Sequence, residues 1–225
     1  MAFRKKAHAI LAYKPDIVII QECEQLDKLV FPAGTPTPKD SLWFGNNQHK
    51  GLGIFSYSKY RFRLLENHNP ELKIIIPIEV TGGKYNFILF AIWAYNPDDP
   101  DGKYIEQIWK AIHHYSELLN KPAILIGDFN SNTIWDRKRR IGNHSDVVEH
   151  LENLDIHSAY HYFHKQIQGQ EAHPTFYLYR HQDKPYHMDY CFVSGKIAKR
   201  IKSVEIGEYE KWKEWSDHVP VIVRL

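Results

Sequence analysis

The chain has 225 residues, a formal net charge of +2 and a hydrophobic content of 43%. These values predict a single globular domain with a large buried core, and they exclude a disordered or low-complexity chain. The near-neutral charge does not by itself indicate a nucleic-acid partner. No stretch is long and apolar enough to cross a membrane, and residues 1–13 lack the apolar core of a signal peptide, so we expect no membrane span.

The two cysteines of the chain are Cys23 and Cys191. Each lies in an apolar, strand-like segment, so we expect buried free thiols rather than a disulfide framework. Such thiols are typical of a reducing compartment, and this predicts a cytoplasmic protein.

The first half of the chain is predicted to form one helix and then mainly strands. Apolar residues at helical spacing predict a helix over residues 4–13, which Pro15 ends. Residues 16–22 read as a central strand, because four apolar residues follow one another after the proline turn. Further strands are predicted at residues 42–44, 53–57, 62–66, 72–80 and 85–94, with a hairpin turn at Gly82 and Gly83.

The second half is predicted to mix helices with strands. Apolar residues on one face predict a long helix over residues 103–119, and residues 146–153 read as a short helix that Ser145 could cap. A polar, basic loop covers residues 132–143. Strands are predicted at residues 122–126, 175–178, 187–193, 203–208 and 219–223. Mainly antiparallel strands with helices between some of them predict an α/β fold of two packed sheets flanked by helices.

A polar pair follows the apolar strand at residues 122–126. Asp128 and Asn130 are two residues apart, and on an extended chain such residues point to the same side. A carboxylate can accept or place a proton, and an amide can donate a hydrogen bond to an oxyanion. The pair therefore indicates a phosphoester site at the end of a core strand.

Polar residues mark three further strand ends. Gln21 and Glu22 end the strand at residues 16–22, and Asp189 lies near the start of the strand at residues 187–193. Asp217 and His218 come directly before the last strand. Each of these clusters alone is typical of solvated or turn-forming residues. The set of four in this chain order is much more specific.

With Gln-Glu, Gly-Asp-Phe-Asn, Asp-Tyr and Ser-Asp-His in this order, the chain resembles the endonuclease/exonuclease/phosphatase superfamily over residues 16–225. That superfamily includes apurinic endonucleases, deoxyribonuclease I-like nucleases, sphingomyelinases and inositol polyphosphate 5-phosphatases. The resemblance implies a four-layered α/β sandwich, in which helices flank two facing, mainly antiparallel sheets. It also implies hydrolysis of a phosphoester with a divalent metal, usually Mg²⁺, with Mn²⁺ as an alternative.

The resemblance assigns roles to the residues that match its motifs. Glu22 matches the metal-ligating glutamate, and Asp217 matches an acid close to the metal. His218 matches the histidine that contacts the scissile phosphate, and Asp189 matches the acid that orients this histidine. Hard cations prefer carboxylate oxygens and keep several waters, so one or two acids suffice.

Two further matches concern the attacking water. Asp128 matches the acid that orients or deprotonates the water, and Asn130 matches the amide that binds the phosphate oxygen or the nucleophile. Metal and hydrogen-bond donors would neutralise the phosphoryl oxygens while an acid aims the water in line.

One departure from the family pattern lies at the start of the sequence. The resemblance implies a first strand with a Trp-Asn-x-Asn type motif, but the sequence begins at Met1 with the helix that should follow it. Either Met1 is an internal methionine and the strand lies upstream, which we favour, or the strand is absent and the sheet has an open edge. In both cases we expect weakened metal or phosphate binding.

The residues that would contact the substrate are less sharply defined. Many relatives carry a Tyr or His near residues 92–97, and Tyr95 could donate to a phosphate oxygen there. Arg137, Arg139 and Arg140 follow Asn130 closely, with Trp135 beside them. Positive charge next to an aromatic ring suits a phosphate-rich ligand, and a solvated basic loop is an equally good interpretation.

Three functions stay open from the sequence. The first is a metal-dependent nuclease or phosphodiesterase acting on nucleic acid, which the basic loop favours. The second is a phosphatase or phosphodiesterase acting on a small phosphorylated molecule or a lipid head group. The third is a module that binds phosphate or nucleic acid without turnover, against which the complete set of acids and His218 argues. A monomer is expected in each case.

Overall fold

The structure is a computed structural model that describes residues 3–225. The α-helices are α1 (Phe3–Leu11), α2 (Ile105–His114), α3 (Ser116–Leu119), α4 (His144–Asn153), α5 (Ala159–His164), α6 (Gly195–Ala198) and α7 (Tyr209–Trp212). The strands are β1 (Ile17–Cys23), β2 (Asp40–Asn47), β3 (Lys50–Ser56), β4 (Arg61–Leu64), β5 (Ile75–Thr81), β6 (Phe87–Trp93), β7 (Ala123–Asp128), β8 (Ile156–Ser158), β9 (Phe176–Tyr177), β10 (Pro185–Tyr186), β11 (Asp189–Ser194), β12 (Ser203–Ile206) and β13 (Val221–Arg224).

A six-stranded sheet forms the centre of the molecule, in the order β4-β5-β6-β7-β11-β8. Its strands pair antiparallel except for β6 and β7, which are parallel. A parallel pair requires a crossover, and α2 and α3 supply it. Every residue of β6 is buried, which agrees with its continuous apolar sequence.

Two smaller sheets form the second layer: β2-β3-β1 and β12-β13. Residues from both small sheets pack against one face of the six-stranded sheet and close an apolar core between the layers. Helices α2, α3 and α4 cover the other face of the six-stranded sheet, and α1 covers the outer face of β1. The result is helix, sheet, sheet and helix in four layers, so the predicted α/β sandwich is confirmed.

Some local predictions differ from the structure. The helix predicted over residues 103–119 is wrong as a single element, because the chain leaves helical geometry at Tyr115 between α2 and α3. The buried hydroxyl of Tyr115 accepts a hydrogen bond from the backbone N–H of Asn69 at 2.9 Å, which ties this break to a distant loop.

The predicted cap of the next helix is also wrong. Helix α4 begins at His144, one residue before Ser145, and Asn143 precedes it. The backbone N–H of Asn143 donates to the side chain of Asp146 at 2.9 Å, which satisfies a group at the helix start.

The helices α5, α6 and α7 are short, and their sequences carry no clear helical periodicity. Within residues 3–225, no helix has the length and apolar character needed to span a bilayer.

The fold brings polar strand ends to one edge. Antiparallel pairing of β7 with β11 places Asp128 opposite Asp189. The C-terminal end of β1 reaches the same edge, because the side-chain amide of Gln21 donates to the carbonyl of Ile92 at 3.0 Å. Gly127 makes this approach possible: its φ of 145° is unfavourable for a side chain, and an ideal Cβ there would lie 1.9 Å from the Ile92 oxygen.

Gly127→Ala should therefore destabilise the protein by about 3 kcal/mol, because backbone strain adds to a clash with the β6 backbone. Equilibrium denaturation in urea measures this loss. Gly34→Ala is the matched control, since Gly34 has a φ of 82° but no atom within 4 Å of an added Cβ. It should cost only about 1 kcal/mol, and an equal loss in both variants would rule out the steric contribution.

Candidate active site

The centre of the polar edge is a buried carboxylate. Asp128 is 5% exposed at the end of β7. Its two oxygens accept hydrogen bonds from the backbone N–H and the side-chain amide of Asn130, each at 2.8 Å. Asn130 makes both contacts because its φ is 47°, a left-handed conformation that asparagine tolerates. Its amide also lies 3.4 Å from the carbonyl of Ala94. The amide therefore holds Asp128 in place.

The second carboxylate holds a histidine. The Oδ2 atom of Asp189 lies 2.8 Å from Nδ1 of His218. Thr175 connects the two segments: its hydroxyl accepts from the N–H groups of Met188 and Asp189 at 2.9 and 3.0 Å, and its carbonyl accepts from Val219 at 2.8 Å. The orientation of His218 is thus fixed through Asp189 on one side and through Val219 on the other.

Glu22 enters the site from the other layer. The register of β1 with β3 shifts between Ile20 and Cys23, and Glu22 has a φ of 55°. A bulge of this kind re-aims a side chain at the end of a strand. The Glu22 carboxylate lies 2.8 Å from the ammonium of Lys50, which also lies 5.4 Å from the centre of the Trp93 ring. Burial opposes ionisation of Glu22, but the hydrogen bond from Lys50 holds its pKa below the ordinary value.

The charges of these groups depend on one another. Burial, and then the negative charge of Asp189, raise the pKa of Asp128 to about 7, and Glu22 adds to this effect. Burial alone would lower the pKa of His218, but the charge and hydrogen bond of Asp189, with the charges of Asp128 and Asp217, raise it to about 9. At neutral pH these pKa values favour an imidazolium at His218 and a partly protonated carboxyl group at Asp128.

Asp217 completes the set of acids. It is half-buried, and its carbonyl accepts a hydrogen bond from the N–H of Tyr177 at 2.7 Å. Its charge acts on His218, and the charges of Asp217, Glu22 and Asp189 all act on Lys6 of α1. The six residues predicted as catalytic or metal-binding are thus grouped at one edge of the sandwich: Glu22, Asp128, Asn130, Asp189, Asp217 and His218.

The donor set limits which metal the site could hold. Among residues 3–225, no three or more His, Cys, Asp or Glu side chains are arranged around one point as metal ligands. Such an arrangement is what a structural zinc site needs. Mg²⁺ is commonly held by one or two carboxylates, with waters and phosphate oxygens as the other ligands. The half-buried carboxylates of Glu22 and Asp217 fit this second pattern, and a cation at Glu22 would compete with Lys50.

An aromatic row leads away from His218. The ring of Phe176 lies 4.7 Å from His218 and 6.4 Å from Tyr186, and Tyr186 lies 5.2 Å from Trp135. The indole of Trp135 is 41% exposed. The row therefore extends from the centre of the site to the surface.

The residues predicted to bind substrate occupy different positions. Arg137 and Arg139 are exposed on the loop that carries Trp135. Arg140 instead contacts Glu106 at 2.8 Å and Asn143 at 3.0 Å, so its side chain joins the loop to α2 and α4. Tyr95 is 37% exposed and stacks on Trp93. Lys50, which contacts Glu22, lies over the Trp93 ring, so Tyr95 is on the Glu22 side of the site.

Several residues of the site have no motif in the sequence that would identify them. Lys50 comes from a hairpin and has no motif, so its contact with Glu22 is visible only in three dimensions. Thr175, Phe176 and Tyr186 lie in short segments, and the only available signal was a strand-like stretch at residues 175–178. A buried hydrogen bond from Asn132 to the carbonyl of His187, at 3.1 Å, supports the start of β11.

A family comparison identifies the class of protein to which this fold and this grouping of acids and histidine belong. The model of the Endonuclease/Exonuclease/phosphatase family matches residues 7–218. The chain therefore belongs to the Endonuclease/Exonuclease/phosphatase family, whose members generally depend on a divalent metal. A comparison with curated protein sequences gave no significant match.

Solved structures of similar fold include several nucleases. A 3'-5' exonuclease from Neisseria meningitidis has a TM-score of 0.67 and 20% identity, over 99% of this chain and 94% of that one. An AP endonuclease from Archaeoglobus fulgidus has a TM-score of 0.70 and 18% identity, over 99% and 95%. The endonuclease domain of TRAS1, a telomere-specific non-LTR retrotransposon, has a TM-score of 0.63 and 19% identity, over 99% and 92%. These likenesses confirm the deoxyribonuclease I-like fold.

The raised pKa of His218 predicts a pH-dependent stability. A group whose pKa rises from 6.5 to about 9 on folding stabilises the folded state fully below pH 6.5, and this stabilisation is lost as the pH rises towards 9. The stability difference between the wild type and His218→Gln should therefore shrink between pH 6.5 and pH 9. Denaturant titrations of both proteins at several pH values measure it.

Asp189→Asn is the matched control for this experiment. It removes the charge that raises the pKa of His218. The free energy of unfolding of this variant should therefore depend less on pH between 6.5 and 9 than that of the wild type. A difference between the wild type and His218→Gln that stays constant from pH 6.5 to pH 9 would contradict the proposed ion pair.

Proposed function

We propose that this protein is a divalent-metal-dependent phosphodiesterase that cleaves nucleic acid. The observation that carries the proposal is the position of Asp128 opposite Asp189, whose carboxylate holds His218, at one edge of the sandwich. A nuclease of this kind needs a group that aims water at phosphorus and a group that neutralises the phosphoryl oxygens.

Asp128 is the proposed general base. With a pKa of about 7 it is partly ionised near neutral pH, and its conjugate acid is not too weak to release the proton again. Asn130 binds both of its oxygens and so limits rotation of the carboxylate. In the proposed mechanism Asn130 therefore positions Asp128, and Asp128 orients and deprotonates the attacking water.

His218 is the proposed electrostatic partner of the phosphate. Its Nδ1 is engaged with Asp189, so the imidazolium can donate from Nε2 to a phosphoryl oxygen. Asp189 keeps the ring protonated and oriented, which is the role of an orienting acid beside a catalytic histidine. Since the donor is already charged and fixed, little reorganisation is needed as charge develops on the phosphate.

Glu22 and Asp217 are the proposed metal ligands, with Mg²⁺ as the natural ion and Mn²⁺ as an alternative. When bound, such an ion supplies Lewis-acid stabilisation of the phosphoryl oxygens. When no metal ion is bound, the ammonium of Lys50 neutralises the Glu22 carboxylate. Tyr95, on the same side of the site, is proposed to donate to a phosphate oxygen.

The aromatic row and the basic loop support nucleic acid over a small ester. Bases stack on exposed aromatic side chains, and a backbone follows positive charge. Trp135 offers such a ring, and Arg137 and Arg139 lie on the same loop. Arg140, whose guanidinium contacts Glu106, is proposed to add its positive charge to this loop. The structural relatives are described as exonuclease, AP endonuclease and a 3' phosphatase bound to a product DNA hairpin.

Two further properties belong to this proposal. The protein acts as a monomer, because one chain carries all the groups that the mechanism uses. It works in the cytoplasm, and the two buried free thiols Cys23 and Cys191 support this.

The test is a substrate panel in the presence of Mg²⁺. Plasmid, abasic duplex, single-stranded DNA, RNA, inositol phosphates and an aryl phosphodiester are incubated with the protein, and products are resolved by electrophoresis or chromatography. We expect cleavage of at least one nucleic acid and loss of that cleavage in EDTA. Turnover of small esters alone would refute the nucleic-acid assignment. No turnover of any substrate, even with an upstream strand restored, would favour the binding module.

Arg137→Ala/Arg139→Ala should weaken DNA binding without affecting chemistry on a small ester. If each arginine neutralises one phosphate, the slope of log Kobs against log salt should fall by about 2. Fluorescence anisotropy in EDTA measures the affinity, and the aryl phosphodiester reports the chemistry.

Arg63→Ala is the control, because Arg63 is an exposed arginine on β4 that contacts Glu79. It should leave both measurements unchanged. An unaltered salt slope in the double variant would show that the loop is only solvated.

A further inference from the structure

Glu171 is a buried carboxylate that the proposed mechanism does not use. It belongs to the segment between α5 and β9, and its side chain is only 4% exposed. Its Oε1 atom lies 3.1 Å from Nε2 of His161 and accepts from the backbone N–H of Gly169 at 2.9 Å. Nδ1 of His161 lies 2.7 Å from the hydroxyl of Ser158, which holds the ring in the orientation that faces Glu171.

The carboxylate of Glu171 is held by hydrogen bonds. Among residues 3–225, no Lys or Arg side chain forms an ion pair with it. Burial would raise the pKa of this carboxyl group, but the hydrogen bonds from His161 and from the backbone N–H of Gly169 lower it to about 2. The group is therefore ionised at neutral pH. An ionised acceptor binds its donors about twice as strongly as a neutral one, so a carboxylate holds these donors more firmly than an amide would.

Asn132 connects this carboxylate to the strand that carries Asp189. The side-chain amide of Asn132 lies 3.2 Å from both oxygens of Glu171, and Asn132 is 2% exposed. The same amide nitrogen donates to the carbonyl of His187 at 3.1 Å and to the hydroxyl of Tyr190 at 3.0 Å. An amide nitrogen has two hydrogens, so one can serve the carboxylate while the other serves the start of β11.

Asn132 also holds the loop that carries Trp135. Its side-chain oxygen accepts from the backbone N–H of Ile134 at 3.1 Å and caps the short 3₁₀ helix Thr133–Trp135. The oxygen and the nitrogen belong to one planar amide group, so a contact that fixes the nitrogen also fixes the oxygen. Loss of the contact with Glu171 would therefore loosen the loop and the start of β11 together.

We propose that Glu171 is a positioning residue for phosphodiester cleavage, whose buried carboxylate holds Asn132 and thereby sets both the start of β11 and the Trp135 loop. This role rests on the proposed function, which assigns Asp189 to catalysis and the loop to binding. Asp189 orients His218, so a displaced β11 should lower kcat. A displaced loop should raise KM, because the loop carries the exposed indole and the arginines. A displacement of about 1 Å can cost about a hundredfold in rate.

The first part of the test measures kcat and KM on the best nucleic-acid substrate with Mg²⁺ present. Glu171→Gln keeps the shape of the side chain, but its amide places donors opposite the amide of Asn132. We expect kcat to fall at least about tenfold and KM to rise at least about threefold. Asp155→Asn is the matched control, because Asp155 also contacts a histidine, His157 at 2.8 Å, but its side chain is 75% exposed. It should leave both constants unchanged.

A double-mutant cycle shows whether Glu171 acts through Asn132. Asn132→Ala alone should lose at least as much in kcat/KM as Glu171→Gln, and the double variant should match Asn132→Ala within about twofold. Independent damage to the structure would instead multiply the two losses. Multiplied losses, a smaller change in kcat or KM for Glu171→Gln, or an equal loss in Asp155→Asn would overturn the proposal.

Amide hydrogen exchange gives a second readout that needs no catalysis. Glu171→Gln should speed exchange at least about tenfold at both residues 134–135 and residues 188–189, and leave β5 and β6 unchanged as a check against global unfolding. Asp155→Asn should change neither segment. Faster exchange at only one segment, or at neither, would overturn the proposal. If the wild type cleaves no substrate of the panel, the proposed function fails, and the exchange result still decides whether Glu171 holds the two segments.

Discussion

The pairing of β7 with β11 is the constraint on which the rest of the site depends. It sets two carboxylates, Asp128 and Asp189, opposite each other at the end of a core sheet. Two negative charges on neighbouring strands, one of them buried, are unfavourable unless a cation or a proton compensates them. His218 supplies the cation on one side, and the raised pKa of Asp128 supplies the proton on the other. The same register that stabilises the sheet thus creates an acid–base pair.

The two layers of the sandwich contribute different parts of the site. The six-stranded sheet carries Asp128 and Asp189, whereas Glu22 comes from β1 in the second layer. Gly127 lets the layers approach, because only a residue without a side chain fits between Ile92 and Gln21. Glu22 and Asn130, at the ends of β1 and β7, both have a left-handed backbone. Strain of this kind collects at functional sites, where the surrounding structure maintains it.

Much of this arrangement could be predicted from the sequence. The apolar runs of β6 and β7 identify core strands, and polar residues at strand ends identify the edge where the site forms. Spacing cannot show contacts that arise between distant segments. The contact of Lys50 with Glu22 and the hydrogen bonds of Thr175 depend on how hairpin and loop fold against the sheet. The break at Tyr115 has no such local pattern, and the hydrogen bond at this residue joins it to Asn69, 46 residues away in the chain.

The most direct test of the account is the rate of phosphodiester cleavage by Asp128→Asn and His218→Gln, on the best substrate and with Mg²⁺ present. Asp128→Asn keeps the shape of the side chain while removing the proton acceptor, and His218→Gln keeps a polar side chain while removing the imidazolium. The account predicts that each variant stays folded, as shown by its circular dichroism, and loses at least about a hundredfold in kcat/KM. A folded variant that retains most of the wild-type rate would contradict the role proposed for that residue.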